Sequence, residues 1–152
     1  MFKLLKRFAL FMMLGSARFF AKTQFGTVGN QIMRSYKADA VIGAGVAVIA
    51  GAAINSVALP GGANVAPLGV TAAAAANIGD PILVVEAGEC TAIADAPINR
   101  NDYVMINAAT GQLAPIGAVA GTNYHVVGKA LEAAAAQGDE FLLLVFPSRA
   151  QG

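Results

Sequence analysis

The sequence predicts a mainly β protein: a compact β-barrel or sandwich with internally duplicated halves, preceded by an extended or helical N-terminal arm. Three observations carry this. Short apolar runs stand between turn-forming residues, one order of signals occurs twice, and the basic charge is concentrated at one end. Residues 1–37 read as a basic, apolar docking arm and linker, and residues 38–152 as the duplicated β-rich domain.

The strand signals come first. Ile82–Val85, Tyr103–Ile106 and Phe141–Phe146 are rich in β-branched or aromatic side chains and are bounded by Gly, Pro, Asn and Asp. Asn107–Gly111 and Ala136–Asp139 carry turn chemistry, where glycine can take positive φ. The runs Ala72–Ala76 and Ala133–Ala136 favour helix by propensity, but they are too short to persist as helices. Each is expected to form a single turn between strands.

The duplication is the most informative feature. GVTAAAAANIGDPILVV from Gly69 aligns without a gap on GKALEAAAAQGDEFLLL from Gly128, so Gly79-Asp80 meets Gly138-Asp139, 59 residues on. Upstream, ADAVIGAGVAVI from Ala38 resembles ADAPINRNDYVMI from Ala94, at an offset of 56. Two structurally similar halves are therefore expected, near 38–87 and 94–147.

Charge separates arm from body. Lys3, Lys6, Arg7, Arg18, Lys22, Arg34 and Lys37 precede the first acid, Asp39, which gives +7. From Asp39 onward three bases face nine acids, which gives −6. A basic arm on an acidic body suits attachment to another macromolecular surface. Within the arm, Phe2, Phe8, Phe11, Phe19 and Phe20 add apolar bulk to the cations. Three readings stand for residues 1–22. One is a docking arm lying along a partner or a membrane surface. Another is a secretory signal or anchor, although Ser16-Ala17-Arg18-Phe19-Phe20 is a poor cleavage site and Arg18 interrupts any spanning run. The third is a simple core helix.

Catalytic chemistry finds no support. Cys90 is the single cysteine and His125 the single histidine, so neither an intrachain disulfide nor a Cys/His zinc site can be assembled, and no cofactor or small-molecule substrate is expected. The dinucleotide-like run Val41–Ala53 has Val48 where the third glycine belongs and no acid before Asp80. Glu86 and Glu89 fall on opposite faces of a strand. The twin Asp80 and Asp139 follow glycines, as turn residues do. Phosphate binding has the basic arm in its favour but lacks spaced stacking aromatics, so nucleic acid is not an expected partner. Charged residues make up 12% against roughly 25% in ordinary soluble domains. With so many small apolar residues, stability is expected to depend partly on neighbouring chains.

From Ala38 onward the chain resembles the capsid decoration (cement) proteins of tailed bacteriophages. The motifs are the A-D-A-x-I start, the DYVMINAATGQL turn at Asp102–Leu113 and the VVGKALEAAAAQGD close at Val126–Asp139. The resemblance implies a β-rich module in the virion's capsid shell, commonly a homotrimer, that caps junctions between major capsid proteins. Residues 1–37 depart from that pattern, being longer and more hydrophobic than the usual arm, which keeps a membrane alternative open. The partner-binding residues expected on this reading are Phe2, Lys3, Lys6, Arg7, Phe8, Phe11, Arg18, Phe19, Phe20, Lys22, Arg34 and Lys37.

Overall fold

A computed structural model describes residues 31–117 and 119–151. They form nine strands: β1 (Ile32–Ala38), β2 (Ala47–Ala50), β3 (Ser56–Ala58), β4 (Gly69–Thr71), β5 (Pro81–Ile93), β6 (Tyr103–Ile106), β7 (Leu113–Pro115), β8 (Asn123–Ala130) and β9 (Glu140–Gln151). No helix occurs among the described residues.

The first five strands close a barrel. β1 pairs in parallel with β3, and antiparallel pairings then run β3–β2, β2–β4, β4–β5 and back from β5 to β1. The second half repeats the ring as β5–β9–β8–β6–β7. It closes from β7 to the end of β5 through the parallel bridge Ala94↔Leu113. Strand β5 belongs to both rings. Its first part, Pro81–Ala87, pairs with β1, and its second, Gly88–Ile93, pairs with β9. A closed ring leaves no long unpaired strand edge.

The halves agree bond for bond. Gly79 N–H donates to Ala38 O at 2.7 Å, and Gly138 N–H to Ala94 O at 2.8 Å. The Asp80 carboxylate accepts Asn77 N–H, and that of Asp139 accepts Ala136 N–H, both at 2.9 Å. Gly79 and Gly138 take φ of 89° and 87°, a conformation that any Cβ would strain, so the repeated Gly-Asp is a turn requirement. The 56-residue offset becomes 59 between Leu113 of β7 and Gly128 of β8, a span three residues longer than the equivalent one from Val57 to Gly69.

Burial follows the same correspondence. Ala38 and Ala94, Ile42 and Ile98, Val48 and Val104, Val57 and Leu113, Ala75 and Ala134, Ile82 and Phe141, and Val84 and Leu143 are all buried. Ile42, Ile82 and Val84 fill the first barrel, and Ile98, Phe141 and Leu143 the second. The alternation of Ile82, Val84 inward and Leu83 outward is the period-two pattern of a strand with one face on a core.

Two expectations change here. Neither alanine run forms a helical turn. The middle residues Ala75 and Ala134 are held by reciprocal backbone bonds of 2.8–3.1 Å to Ile42 and Ile98, and this long-range pairing overrides local propensity. The folded body also begins before residue 38, since residues 32–37, read as linker, form most of β1 and pair along β5. Their sequence, IMRSYK, shows a strand only once its partner about fifty residues away is in place.

Candidate functional site

The chemistry-bearing side chains are spread over the body, and several of the carboxylates hold turns. His125 lies half-buried on β8, where its backbone N–H donates to Asn64 Oδ1 at 2.8 Å. Asp39 accepts Ala52 N–H at 3.1 Å and the Ser56 hydroxyl at 2.9 Å. Asp95 accepts the side-chain amides of Asn107 at 2.6 Å and Gln137 at 2.8 Å. No group of three or more His, Cys, Asp or Glu among the described residues is placed to hold a metal ion. No helix among them is long and apolar enough to cross a membrane.

Cys90 is 5% exposed, and burial pushes its thiol up to about 12. The thiolate is the reactive form, so this cysteine is expected to resist labelling. Native protein treated with iodoacetamide at neutral pH should modify Cys90 at least about a hundredfold more slowly than unfolded protein. Equal rates would show that the second barrel opens readily around it.

Of the predicted partner-binding residues, Phe2, Lys3, Lys6, Arg7, Phe8, Phe11, Arg18, Phe19, Phe20 and Lys22 lie outside the described residues. Arg34 and Lys37 sit on β1 of the first barrel. Arg34 Nε stands 3.3 Å from Glu86 Oε2, and Tyr36 donates its hydroxyl to the same carboxylate. That hydrogen bond, with some burial, holds the Tyr36 phenol above its ordinary value. Arg34 is therefore already engaged within the chain. Lys37 is exposed, opposite Pro81 in the β1–β5 ladder.

Two surfaces that sequence reasoning missed stand out. At the junction of the barrels, Ala47 N–H donates to Gly111 O and Ile93 N–H to Gly45 O, both at 2.8 Å. Ala47, Val70 and Val85, from the first barrel, share the apolar cluster of the second with Cys90, Ile106 and Val145. A Cβ on Gly111 would lie 2.2 Å from Ala47 O, so this approach is open only to glycine. The second surface is the outer face of the second barrel. Tyr103, 46% exposed, packs edge-on against Phe146 with centroids 6.2 Å apart, and Lys129 Nζ lies 5.8 Å from the Tyr103 ring centroid. The signal for both was available: the aligned halves place Tyr103 opposite Ala47 and Lys129 opposite Val70. Reading the duplication for its differences would have found them.

These features define a class: a β protein of two barrels that share a central strand, with a basic, apolar sequence ahead of them. No protein-family model matches the chain, and no curated protein matches it. Among solved structures it is similar to the head fiber gp8.5 N base of bacteriophage phi29. The TM-score is 0.59 at 18% sequence identity, over 80% of this chain and 99% of that one. At that identity the likeness is one of fold.

Proposed function

We propose that this protein is a structural component of a tailed-bacteriophage virion that decorates the outer surface of the head. The supporting observation is the span of the fold likeness, which takes in nearly the whole of a head-fibre base. The decoration-protein motifs of the body point the same way, as does the division into a basic arm and an acidic body. In this reading the protein bridges major capsid proteins as a homo-oligomer, a trimer in the family it resembles, and has no catalytic role. Many modest contacts, multiplied by effective concentration over symmetric copies, do the work of one strong site.

Attachment is assigned to the arm. Burying a phenylalanine contributes about 1.5–3 kcal/mol and an exposed ion pair about 0–1, so Phe2, Phe8, Phe11, Phe19 and Phe20 should dominate affinity. Lys3, Lys6, Arg7, Arg18 and Lys22 should set register on acidic groups of the shell. The test is binding to shells free of this protein. Removal of residues 1–22 is expected to abolish or severely weaken attachment. Replacing the arm's lysines and arginines by alanine should weaken it less and flatten its salt dependence. A truncated body that binds as tightly as the full chain would refute the docking arm and favour a membrane anchor or signal. Cementing has its own readout: saturated shells should withstand higher temperature than bare ones.

A further inference from the structure

The internal duplication shows how one barrel receives another, and which residues stand at the equivalent positions of the two surfaces that are not joined within the chain. Within the chain, the outer face of the first barrel (Ala47, Val70, Val85) closes onto the apolar interior of the second, lined by Cys90 and Val145. Gly45 and Gly111 allow backbone contact there. The equivalent outer face on the second barrel carries Tyr103, Lys129 and Leu144. The equivalent receiving positions on the first barrel are Arg34 for Cys90, Glu86 for Val145 and Asn55 for Gly111. Polar or charged residues thus replace apolar ones at most of these positions on both sides, Leu144 excepted. Val70 is replaced by a cation where Val145 is replaced by an anion.

We infer that the outer face of the second barrel docks, head to tail, into the receiving end of the first barrel of another copy, with Lys129 facing Glu86, whose carboxylate Arg34 and Tyr36 hold in place. Three further observations carry it. Ile54, at the tip of the receiving loop, is 92% exposed, an apolar residue where the equivalent Thr110 is exposed and polar. Ile32 and Met33, beside Arg34 on β1, are 56% and 43% exposed. They stand opposite Ala87 and Val85 in the β1–β5 ladder, with the bulge between them. The opposing face offers Tyr103 and Phe146, the residue types that anchor protein contacts. Asn55, in place of Gly111, prevents the backbone approach of the internal junction, where a Cβ would stand 2.2 Å from Ala47 O. The contact between copies is therefore looser than the one within the chain, and polar enough for each copy to remain soluble. A head-to-tail contact closes into a ring when its rotation divides a full turn, and otherwise runs on.

Sedimentation of the full chain over a range of concentrations tests this, independently of shell binding, since either can fail without the other. Wild-type protein is expected to associate, more weakly as salt rises. Lys129→Glu and Glu86→Lys should each weaken association about tenfold or more, because like charges then meet. An equimolar mixture of the two should recover it, since each variant's altered end meets its complement. Ile54→Asp, on an exposed loop where the fold has nothing to lose, should weaken it independently. A wild-type chain that stays single at every concentration overturns the proposal. So do charge variants that associate like wild type, or a mixture no stronger than its parts.

Discussion

Gly128→Ala is expected to destabilise the protein by about 3 kcal/mol or more, as much as losing a large core side chain. A Cβ at Gly128 would stand 2.1 Å from Leu144 O and 2.9 Å from Leu144 C, so the obstacle is backbone that no rotamer change can move. Relief requires β9 to back away from β8, along the ladder that holds the second barrel shut. The equivalent Gly69 faces the same clash in the first barrel, 2.3 Å from Val85 O, and Gly69→Ala should behave alike. Gly43 and Gly62 have no atom within 4 Å of such a Cβ, and alanine there should change stability by no more than about 0.5 kcal/mol. Urea unfolding of the four variants measures the contrast. Near-equal midpoints would mean that the strands do not approach as described.

Phe141→Ala is the second large effect. Phe141 is 1% exposed and is the largest fully buried side chain of the body. Its removal takes away transfer energy and leaves a cavity among Ile98, Val104 and Leu143, at a cost of about 3–5 kcal/mol. The equivalent residue in the first barrel is Ile82, at 2% exposure, and Ile82→Ala should cost less, about 2–4 kcal/mol. Leu83 is the next residue along β5 but is 45% exposed, so Leu83→Ala should cost under about 1 kcal/mol. The ordering Phe141, Ile82, Leu83 in thermal or urea unfolding is the check. A Leu83 effect as large as that of Ile82 would place β5 in the wrong register.

Much of this fold can be read from local chemistry. The Gly-Asp pairs at 79–80 and 138–139 are written in sequence because a positive-φ turn closed by a carboxylate admits few residues. The runs at Ile82, Tyr103 and Phe141 are legible because strands with one buried face alternate. What could not be read depends on distant partners. IMRSYK carries two cations and looks like linker, yet it becomes β1 through pairing with β5. The alanine runs signal helix, but bridges from Ile42 and Ile98 fix them in irregular form. The shared role of β5, closing one barrel and opening the next, is marked only by Gly88, whose φ of 106° falls where pairing passes from β1 to β9. The interaction surfaces were hidden for a related reason: Ile54, Tyr103 and Lys129 are unremarkable singly, and only their equivalents in the other half show what they replace.

On the function proposed, this chain is a structural part of a phage head. Quantitative mass spectrometry of purified virions tests it most directly. The account predicts a stoichiometric, many-copy presence relative to the major capsid protein, lost together with the head surface and kept when tails are removed. Absence from washed particles, or recovery with host membranes instead, would contradict it.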